Sequence, residues 1–353
     1  MLGKIKQYIK KAAMPVLYWS GVSWAYSLMS QTHGAVILMY HSVAGAKEAE
    51  AIDPANRITP FLFEKQMEFL ARHRQVISLS DLVSAVDAGK EMLAGTVVIT
   101  FDDGYLDNLT VAAPILSHYS LPATLFLATG YVGRSEPQWA DVLHWLFSKR
   151  TNDICIWPIQ NGTNIEQRVF DLGIERDYRA LRKILHQSLL RAGYAERKQD
   201  LDELKSQLKP SFSIPRLTLN WEEARLLQKH YPLFELGGHT CNHVDLSSHS
   251  NEVVETEIKS CAADLKRELG LEKGHFSFPY GRSNSFSRKF VRESGWKSAI
   301  ASGHRVRIDK RSEAHSLSRG ETPRSLGTLG FMTGSAYPGL YPDLLSIRGS
   351  HVG

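Results

Sequence analysis

Two kinds of segment alternate along much of this chain: short unbroken apolar runs, and longer stretches whose apolar residues recur every three or four positions. Val36–Tyr40 (VILMY) and Thr96–Phe101 (TVVITF) are of the first kind and read as buried parallel strands. Ala123–Ala128, Phe234–Gly237, Phe276–Phe278 and Ser298–Ala301, though interrupted by polar residues, read as further strands. Helices fall between them. Thr59 followed by Pro60 predicts a cap and a helix to about His73. Ser80 is expected to cap a second helix, through about Ala88 and stopping near Gly89, and a third covers about Asn108–Tyr119. Asn220 with Glu223 predicts a capping box for a helix over 221–229. Val254, Ile258, Cys261, Leu265 and Leu269 mark one helical face that Gly270 ends. Repeated strand–helix units imply an α/β fold with a parallel sheet, open or closed into a barrel. Residues 134–218 break the rhythm. They mix Trp139, Trp145 and Trp157 with charged helical stretches, and read as a mostly helical insertion.

Composition narrows the picture. The chain has 353 residues, 43% hydrophobic and 22% charged, as in a packed protein, and is long enough for one large barrel or two modest domains. Lys and Arg number 42 against 37 Asp and Glu, so the net charge is +5. That surplus is too mild, and too little interleaved with aromatics, to point to nucleic acid. Cys155, Cys241 and Cys261 make no disulfide framework and lean towards a reducing compartment. The 14 histidines are the compositional sign of a metal.

The N-terminus is a separate question. Lys4, Lys6, Lys10 and Lys11 precede a stretch with no Asp, Glu, Lys or Arg until Lys47. Ala12–Ser30 is apolar and aromatic but broken by Pro15, Gly21 and four serines, too interrupted for a clean membrane span. A basic amphipathic helix on an anionic membrane surface, a signal or anchor segment, and a helix packed on the domain all stay open. We read 1–34 as an amphipathic helical segment whose residues 1–30 could touch a membrane.

Three strand ends carry polar groups. Phe101-Asp102-Asp103-Gly104 sets two adjacent carboxylates at the end of a buried strand, costly unless compensated. Successive strand residues point to opposite sides, so one Asp can bind an ion while the other stays off it as a base. Gly237-Gly238-His239-Thr240-Cys241-Asn242-His243 offers two imidazoles four apart, with Cys241 read as a small packed residue. Phe276-Ser277-Phe278-Pro279-Tyr280-Gly281 makes a rigid aromatic turn. Taken singly each has an ordinary reading as a turn, a helix cap or a stray histidine pair. Together they give one Asp and two His with room for water, the donor set of a catalytic zinc site, beside a free Asp that could take a proton from water.

The run at 100–104, the His-Thr-x-x-His run at 239–243 and the Phe-x-x-Pro-Tyr-Gly run at 276–281 resemble, in order, three motifs of the polysaccharide deacetylase family, the NodB-homology group of carbohydrate esterases. Met39-Tyr40-His41-Ser42 resembles the opening strand of many members. The resemblance spans about 35–320, with 134–218 as an insertion and 321–353 as a tail. It implies a distorted (β/α)7 barrel with the site at the C-terminal strand ends. It makes Asp102 the general base. It makes Asp103, His239 and His243 the ligands of one divalent metal, expected to be Zn²⁺. It gives the Tyr280 backbone N–H to the oxyanion, Thr240 to the support of a ligand, and turns His41 towards the pocket.

Two departures stand out. Many members carry an arginine in the third motif that pairs with the base; that position here is Ser277, so Asp102 is expected to lack the partner. The late histidine that serves as general acid does not align, which leaves His315 and His304 as candidates. The implied activity is hydrolysis of N-acetyl groups on amino sugars, N-acetylglucosamine among them, of an exopolysaccharide or lipid-linked glycan. The alternatives are an O-acetyl glycan esterase and a non-catalytic glycan-binding protein. A glycan is the expected partner and a monomer the expected state. The expected location is the cytoplasm, or peripheral on the inner face of the membrane; export or membrane anchoring is the alternative.

Overall fold

The computed structural model describes residues 34–46, 48–161, 164–301 and 307–333. The N-terminal segment, apart from Gly34, lies outside the described residues, as does His304. Among the described residues no helix is long and apolar enough to cross a membrane.

In chain order the barrel begins with β1 (Ala35–Tyr40), β2 (Ser42–Val43), β3 (Arg57–Ile58), α1 (Pro60–His73), β4 (Gln75–Val76), α2 (Leu79–Asp87) and β5 (Thr96–Phe101). A π-helical stretch, Asn108–Ala112, leads into α3 (Ala113–His118), and β6 (Ala123–Leu127) follows. The insertion holds α4 (Trp139–Lys149), β7 (Ile154–Asn161), β8 (Asn164–Asp171), α5 (Glu175–Arg191) and α6 (Tyr194–Leu208). The barrel resumes with α7 (Trp221–His230), β9 (Phe234–Gly238), α8 (Asn251–Leu269), β10 (His275–Ser277), α9 (Ser285–Glu293) and β11 (Ser298–Ala301). It ends with β12 (Arg307–Ile308), β13 (Leu317–Ser318) and α10 (Leu326–Thr333).

The main sheet runs β12-β1-β5-β6-β9-β10-β11-β13, parallel except where β12 meets β1, with β4 also on β5. Beyond β13 the chain returns to β1: Met39 N–H donates to the Gly320 carbonyl at 3.0 Å, and Gly320 N–H donates to the Ile37 carbonyl at 2.8 Å. This closes the seven-stranded barrel that the motifs implied.

Along β5, Val97, Ile99 and Phe101 face the helices, while Val98 belongs to the cluster shared with α2, β11 and β13. That period of two delivers Asp102 to the barrel interior. Thr59 caps α1 and the Asn220–Glu223 capping box forms, both as expected. The α2 cap is Ser78 rather than Ser80, whose hydroxyl instead meets His275 Nε2 at 2.9 Å.

The insertion holds α4, α5 and α6 and also an antiparallel hairpin, β7 and β8, that the sequence did not predict. One expectation needs correction. The described part of the expected tail packs on the barrel: Leu329 and Met332 enter the core, and Thr322 Oγ1 donates to the Met39 carbonyl.

Candidate metal centre and active site

At the C-terminal end of β5 the chain bends sharply. Strict alternation would send Asp102 and Asp103 to opposite faces. Asp103 instead takes φ 74° and Gly104 φ 78°, which turns both carboxylates into one cavity. Four of the six non-glycine residues with left-handed backbone among those described are Asp103, Thr240, His243 and Tyr280. Such conformations cost of order 1–3 kcal/mol each and concentrate at functional sites. Gly238, ending β9, permits a close approach: a Cβ there would stand 2.5 Å from the Trp296 ring.

The cavity, about 210 Å³, is lined by His41, Asp102, Asp103, Gln138, Trp139, His239, His243, Tyr280 and Arg319 among others. Asp103 Oδ1 lies 3.2 Å from His243 Nε2 and 3.6 Å from His239 Nε2. Ligands about 2.1 Å from a tetrahedral ion stand about 3.4 Å apart, so this spacing fits a divalent cation. The ring orientation agrees. His239 Nδ1 donates to the Ser277 carbonyl at 2.7 Å, and His243 Nδ1 meets Tyr280 Oη at 3.0 Å. The carbonyl leaves the His239 Nε2 lone pair for an ion, and the His243 Nε2 lone pair is likewise free where Nδ1 donates to Tyr280 Oη. Burial pulls the His239 imidazole down to about 4, against Asp102, so it is neutral near pH 7, as a ligand must be. Burial works to raise the Asp103 carboxyl, but the imidazoles around it, His243 first, hold it well below the usual carboxylate range. Among the described residues these three form the one group of His, Cys, Asp and Glu able to hold an ion.

Asp102 stands beside this set, 3.7 Å from His239 Nε2. The expectation that it lacks an arginine is wrong. Arg319, just past β13, grips it with both arms: Nη1 donates to Oδ1 at 2.8 Å and Nη2 to Oδ2. The same Nη2 donates to Ser277 Oγ at 2.8 Å, so the small residue of the third motif makes room for an arginine from another strand. Burial works to raise Asp102; Arg319, with His239 and His41, outweighs it and holds the carboxyl below its usual range.

The remaining expected residues divide. His41 lines the cavity, and its Nδ1 is buried without a hydrogen-bond partner. Tyr280 lines it too, but its ring is committed to His243. Thr240 is misassigned as a support: its Oγ1 is buried without a partner, and the ligand histidines are held by Ser277 and Tyr280 instead. His315 is misassigned as an acid. Its Nε2 meets the Trp296 carbonyl at 2.8 Å, at the start of β11 and so at the far end of the barrel from the site. Gln138, Arg197 and Arg319 escaped the sequence reading. Each acts across a long separation, and none sits in a motif.

A profile of the polysaccharide deacetylase family matches residues 89–299. YxkH of Bacillus subtilis, itself a proposed polysaccharide deacetylase, is 28% identical over 136 residues, which are 38% of this chain and 42% of that protein. Less than half the length of that relative is therefore matched. Among solved structures, IcaB from Ammonifex degensii aligns with a TM-score of 0.54 at 18% identity, over 87% of this chain and 99% of that one. A de-N-acetylase from Aggregatibacter actinomycetemcomitans aligns at 0.54 and 15%, over 84% and 99%. The Streptococcus pyogenes deacetylase PplD, solved with acetate, aligns at 0.50 and 19%, over 82% and 92%. These likenesses establish the fold.

Proposed function

The chain belongs to the polysaccharide deacetylase family, and from that membership we propose that it is a metal-dependent hydrolase removing N-acetyl groups from amino sugars of a polysaccharide or lipid-linked glycan. One observation carries the reading. Asp103, His239 and His243 converge on a single point, while Asp102, also lining the cavity, is gripped by Arg319.

Zinc suits two imidazoles and a carboxylate, and when bound it supplies Lewis acidity towards the acetyl carbonyl and the attacking water. The chain's own groups do the rest. Asp102, ionised at neutral pH, accepts the proton of the water as its oxygen bonds to the acetyl carbon. The Tyr280 backbone N–H is assigned to the developing oxyanion. The C–N bond then breaks, the amine nitrogen takes a proton, and acetate leaves. His41 is assigned the delivery of that proton, because it is the remaining imidazole among the described residues lining the cavity.

The test is acetate release from N-acetylglucosamine oligomers by the zinc-loaded protein. Asp102→Asn and His239→Ala are each expected to abolish it, with the first still binding zinc. Wild-type turnover in either variant would overturn the assignment. The turning away of His315 favours a second reading, O-deacetylation, since an ester leaving group needs less help from an acid. Paired amide and ester substrates separate the two. In the N-acetyl reading, His41→Ala slows the amide far more than the ester.

A further inference from the structure

The insertion that interrupts the barrel reaches the proposed metal centre at three points. Trp139, at the first turn of α4 and 2% exposed, donates its indole N–H to Tyr280 Oη at 2.7 Å. That same oxygen meets His243 Nδ1 at 3.0 Å and the His243 carbonyl at 3.4 Å. With His243 Nε2 taken as a ligand, the donors and acceptors allow one consistent assignment. An indole N–H can only donate. If His243 Nε2 is to face an ion, its Nδ1 carries the ring proton and also donates to Tyr280 Oη. The phenol O–H is then left to donate to the His243 carbonyl. Gln138, the residue before α4, donates from Nε2 to Asp103 Oδ1 at 3.3 Å. Arg197, on α6 and buried, donates from Nη1 to the carbonyls of Asn242 at 3.2 Å and His243 at 3.0 Å, which ties down the loop carrying both histidines.

We infer that the 134–218 insertion is a working part of the metal centre: through Gln138, Trp139 and Arg197 it sets the orientation of Asp103 and His243, with Tyr280 as the relay. The inference rests on the reading of Asp103, His239 and His243 as ligands. Gln138, Trp139 and Arg197 are positioning residues, since they act through those ligands and their loop. Partners of this kind change metal affinity by roughly 10–100-fold when removed.

The experiment measures zinc affinity by competition with a chelating dye, and the visible spectrum of the cobalt-substituted protein, for wild type and three near-isosteric variants. Trp139→Phe keeps an aromatic ring and loses the N–H, Tyr280→Phe loses the relay oxygen, and Gln138→Met loses the donor to Asp103. Each is expected to weaken zinc by roughly 10–100-fold and to alter the cobalt bands, with the metal-free thermal transition unchanged. Because Trp139 and Tyr280 act in series, the double variant is expected to be no weaker than Tyr280→Phe alone. Zinc affinity and cobalt bands like wild type in all folded variants would overturn the inference while leaving the metal site standing. Should one variant lose its thermal transition, the remaining two decide. A wild-type protein that binds neither ion would overturn the ligand reading itself, and this inference with it.

Discussion

The base and its arginine show how a single side chain can be replaced from elsewhere in the fold. Asp102 and Arg319 are 217 positions apart and meet only when the chain beyond β13 closes on β1. No local pattern carries that pairing, so the arginine missing at Ser277 read as a missing partner. Asp103, His239 and His243 were legible because each sits in a short motif at a strand end, and the three motifs together resemble a known family that assigns them. The pairing makes a prediction. In Arg319→Gln, burial of Asp102 is no longer opposed by the guanidinium, so its pKa rises. The acid limb of kcat/KM against pH therefore moves to higher pH, and activity at neutral pH falls. Removing one partner of a buried pair also costs about 3–5 kcal/mol of stability, visible as a lower Tm. Because Arg319 Nη2 already touches Ser277 Oγ, an arginine at 277 can reach the same carboxylate. The exchange Ser277→Arg with Arg319→Ser is expected to recover part of the turnover that Arg319→Ser loses, and no recovery would count against the guanidinium as the active feature.

Among the elements, the hairpin of the insertion is one that escaped, as did α9 and α10. In β7 the inward residues Cys155, Trp157 and Ile159 alternate with Ile154, Ile156 and Pro158, which are apolar as well, so no period of two shows. Proline inside a run also argues against a strand, and β8 has a single buried residue, Phe170. The central strands β1 and β5 were legible for the opposite reason: almost wholly buried, they are continuous runs of apolar and β-branched residues. Close packing in the barrel has a local cost. At the end of β9 a side chain on Gly238 would meet the Trp296 ring and, at 2.9 Å, Cys261 Sγ. Gly238→Ala is therefore expected to cost about 1–3 kcal/mol by overpacking. Because His239 is the next residue, the same change is expected to weaken zinc binding as well as lower the Tm. A variant with wild-type Tm would show that β9 and Trp296 can part without strain.

Over the whole molecule, the insertion and the barrel are joined across the site face by buried polar contacts, and one of them is a titratable seam. Asp141 in α4 accepts the Tyr105 hydroxyl at 2.7 Å and the Asp53 N–H at 3.1 Å, so it links the insertion to the end of β5 and to the loop before β3. Burial pushes its carboxyl up to about 7, above its usual value, and these hydrogen bonds only partly offset that. A carboxyl raised on folding binds its proton more tightly in the native state than in the unfolded one. Between the unfolded value of about 4 and the folded value of about 7, native Asp141 holds more protons, so stability falls as pH rises through that window. Asp102 and Asp103, held low in the fold, act in the opposite sense: their contribution is present above the unfolded value and is lost as pH falls. In the metal-free protein the share of stability that Asp141 supplies is thus expected to fall between about pH 4 and 7, against His239, whose lowered value adds stability as pH rises over much of the same range. Asp141→Asn, which keeps an acceptor for Tyr105 but cannot ionise, is expected to make Tm climb more steeply, or fall less, with pH across that window than in wild type, and to leave the loss on the acid side in place. A pH slope of Tm equal to wild type in the variant would mean that the seam does not titrate in this window.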